Sequence, residues 1–144
     1  MRKLLSVALA VLLFCAGAQA APRLLEPKDL FQMQWANDPQ IRKDGAQIAY
    51  ARTANDIMTD GQTQSLWLID TVTGAQTPLA SGPGYNSSPR WAPDGAKIAY
   101  LSTGTDGHTQ IVIHWMRGET AILTHLLEAP SDITWSPSHR ASSE

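Results

Sequence analysis

The sequence has one cysteine, few aromatic residues and almost no net charge. Its single cysteine, Cys15, has no partner for an intramolecular disulfide, so a disulfide-stabilised scaffold is excluded. The formal net charge of −2 has the wrong sign and too small a magnitude for a nucleic-acid-binding protein. No Gly-x-Ser-x-Gly string occurs, so the sequence lacks the turn that presents a nucleophilic serine in α/β-hydrolases. The rest of the composition, 43% hydrophobic and 17% charged over 144 residues, is typical of a small globular domain.

The N-terminus has the pattern of a secretory signal peptide. Two basic residues precede an apolar stretch over residues 4–16, and Ala18-Gln19-Ala20 supplies the small residues that a signal peptidase reads. We expect residues 1–20 to be removed and the protein to be exported, to the periplasm or outside the cell. The apolar run is shorter than the roughly 20 residues that span a bilayer, so no membrane association is expected after cleavage. A lipid anchor on Cys15 is the alternative, but bulky Phe14 stands where a lipobox needs a small residue.

Two units of the chain repeat one another. Residues 44–50 read DGAQIAY and residues 94–100 read DGAKIAY, while residues 60–64 read DGQTQ and residues 106–110 read DGHTQ. The string Trp91-Ala92-Pro93 recurs as Trp135-Ser136-Pro137. Because these landmarks come in the same order, each unit is predicted to contain the same strands and turns. The residues that carry the repeat are Asp44, Gly45, Tyr50, Trp91, Pro93, Asp94, Gly95, Tyr100, Trp135 and Pro137.

The strands of each unit predict a β-propeller. Residues 48–51 and 98–101 are apolar at consecutive positions, so both faces of these strands must be buried. No helical pattern separates the strands, and small antiparallel sheets stacked face to face satisfy the requirement. The predicted fold is therefore all-β, a partial propeller of about two and a half four-stranded antiparallel blades after a signal peptide and a short helix. A β-sandwich is the alternative.

The turn signals divide the mature chain into four parts. Residues 21–36 form a lead-in with a short helix that begins near Pro27 and includes Gln34 and Trp35, and an Asn37-Asp38-Pro39 turn follows it. The first blade is expected over residues 37–84 and the second over residues 85–129. Residues 130–144 begin a third blade and form a tail.

Two longer strings carry a family resemblance. DPQIRKDGAQIAYAR and SPRWAPDGAKIAYLS resemble the WD-like propeller repeat of TolB-like proteins and of the N-terminal propeller in prolyl oligopeptidase family serine peptidases. The lead-in PKDLFQMQWANDPQI is similar to that of exported acylaminoacyl-peptidase-like and dipeptidyl-peptidase-like members. The resemblance implies a propeller that restricts access of peptides to a C-terminal α/β-hydrolase domain. The sequence departs from the pattern at Arg42-Lys43, where the repeat has Ser-Pro, and at Ser138-His139, where it has Asp-Gly.

The resemblance leads to an expectation about function. The sequence stops before a third Ile-Ala-Tyr strand, and the catalytic domain would lie beyond that point. We therefore expect a non-catalytic propeller fragment without a cofactor, which would gate access to a hydrolase domain absent from this sequence. Its expected partners are peptide substrates or a protein bound by the propeller loops. The alternatives are a TolB-like periplasmic module for protein binding and a small protein that completes its sheet by oligomerising.

Other candidate sites have simpler interpretations. The four histidines (His108, His114, His125 and His139) lack the spacing of metal ligands, so no metal site is expected. The tryptophans could form a stacking platform, but their phase within the repeats favours packing between blades. The loop Ala54–Gln62 carries the apolar pair Ile57-Met58, which could contact a partner or act as an ordinary blade loop. Asn86-Ser87-Ser88 fits a glycosylation sequon.

Overall fold

A computed structural model describes residues 24–82 and 84–137; the predicted signal peptide, Cys15 and Ser138-His139 lie outside these residues. A six-residue 3-10 helix at Pro27–Gln32 precedes eight β-strands. The strands are β1 (Gln34–Ile41), β2 (Gln47–Asp56), β3 (Gly61–Asp70), β4 (Gln76–Ala80), β5 (Tyr85–Trp91), β6 (Lys97–Thr103), β7 (Thr109–Trp115) and β8 (Thr120–Ile122).

The strands form two four-stranded antiparallel sheets, which we call blade 1 (β1 to β4) and blade 2 (β5 to β8). Within each blade every strand pairs with the next one along the chain. The two blades are joined by one parallel bridge between β3 and β5, at Gln64 and Tyr85. This all-β arrangement confirms the predicted partial propeller, with its two complete blades and a short helix in front of them.

The hydrophobic core lies between the two blades. One face of blade 1 contributes small and aliphatic side chains from β2 and β3, and the facing side of blade 2 contributes side chains from β6 and β7. Its buried members are Ala49, Ala51, Leu66, Leu68, Ile98, Tyr100 and Val112. In β2 the consecutive residues Ala49, Tyr50 and Ala51 are all at most 5% exposed, so both faces of this strand are covered. Consecutive burial is what the unbroken apolar runs predicted.

The lead-in helix is shorter than its spacing suggested. Asp29 closes its first turn, because its carboxylate accepts a hydrogen bond from the Glu26 N–H at 2.8 Å. Gln34 and Trp35, which fit a helical spacing in the sequence, instead belong to β1 and pair with Ala54 and Thr53 of β2. Their prediction as helical was wrong because pairing with a long neighbouring strand outweighs a weak local helical preference.

The predicted Asn37-Asp38-Pro39 turn is a β-bulge within β1. The register of the β1–β2 pair shifts between Asn37 and Gln40, and Asp38 takes a left-handed backbone with a φ of 47°. The same left-handed position recurs at Ser88 and Asp132, with φ values of 53° and 52°. The chain therefore bends once in each repeat without reversing, which allows the innermost strand to continue past the bulge.

The DGQTQ and DGHTQ strings do not superpose in the fold. Thr53 of β2 pairs with Gln64 of β3, whereas the matching Thr103 of β6 pairs with Thr109 of β7. Gln64 therefore corresponds to Thr109, one residue away from the match that the strings suggest. The cause is the length of the connection, since ten residues (54–63) separate Thr53 from Gln64 and only five (104–108) separate Thr103 from Thr109.

Candidate functional site at the joint between the blades

Two equivalent turns lie side by side at one end of the blades. In the first, the Gly45 N–H donates to the Arg42 carbonyl at 2.8 Å, and in the second the Gly95 N–H donates to the Ala92 carbonyl at 2.8 Å. Both glycines have a left-handed backbone, with φ values of 75° and 69°, which explains why glycine stands there. Pro93 presets the second turn, because proline favours its φ at this position.

The aspartates of the repeat tighten these turns. The Asp44 carboxylate accepts a hydrogen bond from the Ala46 N–H at 3.0 Å, and the Asp94 carboxylate accepts one from the Ala96 N–H at 2.9 Å. Asp44 also accepts two hydrogen bonds from the Arg42 guanidinium, each at 2.8 Å. The Arg42 hydrogen bonds hold the pKa of the Asp44 carboxyl below its usual value, with a smaller contribution from the Ala46 N–H. Arg42 thus supplies an ionic contact in the turn that lacks the proline.

The repeated tryptophans join each unit to the one before it. The Trp91 indole N–H donates to the Gln40 carbonyl of β1 at 3.0 Å. The Trp135 indole N–H donates to the Arg90 carbonyl of β5 at 2.9 Å. Gln40 and Arg90 occupy the same place in successive innermost strands, so the two contacts are copies of one joint. Residues up to Pro137 therefore repeat the indole contact by which blade 2 joins blade 1, although none of residues 130–137 lies in a strand.

Cations lie over both indoles. The Arg42 guanidinium carbon is 5.7 Å from the centre of the Trp91 ring, and the Lys97 ammonium is 5.2 Å from the centre of the Trp135 ring. Both distances are within the range of a favourable cation–π contact. The tryptophans were predicted to be packing residues, but no sequence pattern indicates these cations, because they come from different positions in the two units.

An ion pair strengthens the first joint. The Arg90 guanidinium lies 2.6 Å from the Asp38 carboxylate, and both side chains are about one-third exposed. Arg90 also donates to the Pro89 carbonyl at 2.8 Å, which fixes its orientation. No local sequence pattern indicates this pair, because Asp38 lies in the bulge and only the bulge directs its side chain toward blade 2.

The two repeat tyrosines have different surroundings. Tyr100 lies in the core between the blades, where burial raises the pKa of its hydroxyl. Tyr50 lies on the opposite face of blade 1, where its hydroxyl donates to the Gln76 amide oxygen at 2.9 Å. The Arg52 guanidinium covers this face, bonded to the Tyr50 hydroxyl and stacked 3.7 Å from the centre of the Trp67 ring.

A polar cluster lies beside the core of blade 1. The buried Thr53 hydroxyl accepts hydrogen bonds from the side-chain amides of Asn37 at 2.8 Å and Gln64 at 2.9 Å. The Gln64 amide oxygen is buried without a hydrogen-bond partner. Asn86, the acceptor of the predicted glycosylation sequon, lies in β5 and is 8% exposed.

The long loop of blade 1 presents apolar side chains. Ile57 is 63% exposed and Met58 is 88% exposed. The Asp56 carboxylate fixes the loop, since it accepts hydrogen bonds from the Met58 N–H and the Thr59 hydroxyl, each at 2.9 Å. These bonds, the Met58 N–H first, lower the pKa of the Asp56 carboxyl.

The histidines and acidic residues form no metal centre among the described residues. Within residues 24–82 and 84–137, no three His, Cys, Asp or Glu side chains come together in an arrangement that could hold a metal ion. The His114 ring lies 2.8 Å from the Thr120 hydroxyl, and burial lowers the pKa of its imidazole. No helix in the same part of the chain has the length and apolar character needed to cross a bilayer.

The fold and its joints define a class of protein, a β-propeller assembled from four-stranded antiparallel blades. No family model matches the sequence. The chain is 30% identical over 116 residues to the uncharacterized peptidase YuxL of Bacillus subtilis (strain 168), which is 80% of this chain and 18% of that protein. This chain thus spans less than a fifth of the length of the curated relative that it matches.

Solved structures show the same fold. The acylaminoacyl peptidase of Pyrococcus horikoshii matches 67% of this chain with a TM-score of 0.58 and 20% identity, and the match is 15% of that chain. The β-propeller domain of the Trilobed protease from Pyrococcus furiosus matches 63% of this chain with a TM-score of 0.53 and 17% identity, and the match is 27% of that chain. Together these likenesses confirm the resemblance drawn from the repeats, to the propeller region of prolyl oligopeptidase family peptidases.

Proposed function

We propose that this chain is a non-catalytic propeller portion of an exported peptidase, and that its blades limit which peptides reach a hydrolase active site. The observation that supports this function best is the similarity to a peptidase, together with a repeated joint that packs consecutive blades tightly. A wall of packed blades excludes folded protein while leaving a path for short peptides. In this proposal the nucleophile belongs to an α/β-hydrolase domain that other residues supply.

The non-catalytic part of the proposal is tested on the chain itself. The purified protein is incubated with a fluorophosphonate probe that labels activated serines, and a serine peptidase of known activity is labelled in parallel. We expect no labelling of this chain above that of the heat-denatured protein. Labelling at one serine, lost when that serine is replaced by alanine, would overturn the assignment.

The gating part is tested in a chimera. The 116 aligned residues of the Bacillus subtilis relative are replaced by the matching stretch of this chain, and hydrolysis of short peptides is compared with hydrolysis of an unfolded protein. We expect the chimera to prefer short peptides, and a Trp91→Phe, Arg90→Gln chimera to lose part of that preference because the joint loosens. Equal preference in the two chimeras would contradict a gating role for the blades.

The location of the protein is proposed from its N-terminus. Export with cleavage after Ala20 predicts a mature protein that starts at Ala21. Fractionation of the producing cells and N-terminal sequencing check this point. A protein that keeps Met1 in the cytoplasmic fraction would refute it.

A second candidate function is a TolB-like module for protein binding. The observation in its favour is the loop that holds Ile57 and Met58 exposed, because a fixed apolar pair on a surface suits a protein contact. Under this alternative, an Ile57→Ser, Met58→Ser variant loses a protein partner of the native cell envelope while its fold is unchanged. Under the first proposal, the variant and the unsubstituted chain bind the same proteins of the cell envelope when no hydrolase domain is present.

A further inference from the structure

Arg52 lies on the face of blade 1 that points away from blade 2, which we call the outer face. Its guanidinium carbon is 3.7 Å from the centre of the Trp67 ring, and its Nη2 donates to the Tyr50 hydroxyl and to the Gln76 amide oxygen. The Tyr50 hydroxyl in turn donates to the same Gln76 oxygen at 2.9 Å. Stacking and hydrogen bonding thus hold the cation in one orientation, so it loses little entropy when it binds a ligand.

Arg52 has no carboxylate partner in the part of the chain that the structure describes. It takes part in none of the ion pairs there, although its side chain is half-buried. The next carboxylate on the outer face of β2 is that of Asp56, four residues along the strand and therefore about 13 Å away. Asp56 is engaged by its own loop, through the Met58 N–H and the Thr59 hydroxyl. A half-buried arginine without a counter-charge is unfavourable, and an anion from outside the chain would offset that penalty.

The hydrogen bonds around Arg52 use the acceptors and leave donors. The Gln76 oxygen already accepts two hydrogen bonds, and the oxygen of Ser65, which pairs with Arg52 across the two strands, accepts one from the Trp67 indole N–H at 3.0 Å. Donors remain at the Ser65 hydroxyl, at the Gln76 amide nitrogen and at Nε and Nη1 of Arg52, and none of them has an acceptor among the described residues. Arginine and an amide nitrogen can only donate. The ligand that matches this set is an anion that only accepts, such as a carboxylate.

The repeat does not account for the cation and the indole on this face. At the positions that match Arg52 and Trp67 by strand pairing, blade 2 has Ser102 and Val112. Val112 lies in the core between the blades and is 5% exposed. Packing of a blade therefore requires neither the charge nor the indole, and the Arg52–Trp67 pair indicates a separate role.

We propose that Arg52 and Gln76 form a binding site for a side-chain carboxylate, an Asp or Glu of a polypeptide segment that lies on the outer face. A phosphate dianion is a poorer match, because Arg52 is the single cation of β2, β3 and β4. A small free carboxylate is also a poorer match, because one partly exposed ion pair strengthens binding only about fivefold at most. A peptide adds contact with the apolar surface of Trp67 and of Pro78, which pair across β3 and β4. This site goes beyond the proposed gating function and does not depend on it.

The probes are three short peptides that differ only in where a carboxylate lies. Acetyl-Leu-Glu-Leu-amide has it in the side chain, acetyl-Leu-Gln-Leu-amide has none, and acetyl-Leu-Gln-Leu with a free C-terminus has it on the main chain. The full chain, labelled with ¹⁵N, is titrated with each peptide, and the signals of the Trp67 indole N–H and the Arg52 Nε–H are followed. We expect saturable binding of the Glu peptide at millimolar concentration, and binding about fivefold weaker for the other two. The preference should shrink at high salt, because the pair is partly exposed.

Substitutions of arginine separate this site from a general effect of charge. Arg52→Gln should abolish the preference for the Glu peptide, and Arg52→Lys should restore only part of it, because lysine keeps the charge but not the planar guanidinium. The matched control is Arg42→Gln, which also removes a cation over an indole, that of Trp91. Arg42 is already paired with Asp44, so its loss should leave the preference for the Glu peptide unchanged.

A substitution at the exposed Gln76 tests the site without disturbing the core. Gln76→Glu places a carboxylate of the chain itself beside Arg52. It should reduce the affinity for the Glu peptide to that for the Gln peptide and raise Tm by roughly 2–4 °C at low salt. The matched control is Thr77→Glu, which adds the same charge at the next exposed position, on the opposite face of β4, and should do neither.

Three results would overturn the proposal. The first is equal affinity for the Glu and Gln peptides, and the second is a preference for the Glu peptide that survives in Arg52→Gln or in Gln76→Glu. The third is binding of the peptide with a free C-terminus as tight as that of the Glu peptide, which would make a main-chain carboxylate the ligand. No hydrolase domain takes part in these assays, so their failure and the failure of the gating proposal are distinguishable.

Discussion

Replacing Trp91 by phenylalanine tests whether the indole contacts hold the blades together. The change keeps an aromatic ring in the joint but removes the N–H that donates to the Gln40 carbonyl at 3.0 Å. It also weakens the contact with the Arg42 guanidinium, which lies 5.7 Å from the ring centre. The perturbation therefore acts on contacts that link one blade to the other, while the strands inside each blade are left intact.

The expected loss of stability is the sum of two modest effects. A neutral hydrogen bond contributes about 1 kcal/mol to the free energy of unfolding, and more is lost when a partly buried carbonyl is left unsatisfied. A partly exposed cation–π contact contributes about 0.5–1 kcal/mol. We expect Trp91→Phe to lower the free energy of unfolding by about 2 kcal/mol, which for a domain of this size lowers Tm by roughly 6–12 °C.

The assay is urea unfolding followed by circular dichroism, with Trp67→Phe as the matched control. The Trp67 indole N–H donates to the Ser65 hydroxyl in its own strand at 3.0 Å, and its ring also carries a cation, Arg52. The control thus loses one hydrogen bond and weakens one cation–π contact within blade 1, and it leaves the contacts between the blades unchanged. Hydrogen exchange distinguishes the two, because Trp91→Phe should increase exchange in β5 and Trp67→Phe should not. Equal exchange in β5 for both variants would refute the role assigned to the indole.

Three further predictions follow from the contacts described. Replacing Arg90 by glutamine removes its ion pair with Asp38 and should lower the free energy of unfolding by about 1 kcal/mol or less, an effect that shrinks at 1 M salt because the pair is partly exposed; an unchanged loss at high salt would contradict an ionic origin. Hydrogen bonds from Thr73 lower the folded-state pKa of the Asp70 carboxyl below its ordinary value of 3.8, so the stabilisation from these bonds is present above pH 3.8 and is lost as the pH falls through the folded-state pKa. Acid unfolding of Asp70→Asn should therefore show a smaller loss of stability below pH 4 than the wild type, and identical acid profiles would exclude the effect. Gly45→Ala should destabilise the protein by about 1 kcal/mol from backbone strain alone, since φ is 75° and no atom lies within 4 Å of the added carbon; a neutral result in thermal unfolding would show that the turn relaxes.

The repeat made most of the fold predictable. Two copies of the Asp-Gly-Ala-x-Ile-Ala-Tyr string identified equivalent turns and strands without any knowledge of their packing, because the glycine is needed at a left-handed position. Consecutive apolar residues such as Ala49 and Tyr50 indicated burial on both faces. Trp91 and Trp135 were expected at the packing between blades, and each lies at a joint.

Other features depended on contacts distant in sequence. Gln34 and Trp35 have a spacing compatible with a helix, and only the neighbouring β2 strand recruits them into a sheet. The correspondence between β3 and β7 could not be read from the matching strings, because the connection between β2 and β3 is longer than the one between β6 and β7. The Asp38–Arg90 ion pair joins residues far apart in the chain, and no local pattern predicts it.

The sequence by itself determined the repeating unit, its turns and its all-β character, because these depend on backbone preferences and on unbroken apolar runs in short segments. The tertiary structure decided how the units fit together, through the bulge that directs Asp38 toward Arg90 and the indole contacts between successive innermost strands. These features arise where two sheets meet, and their energies depend on distances and burial that exist only after the chain has folded.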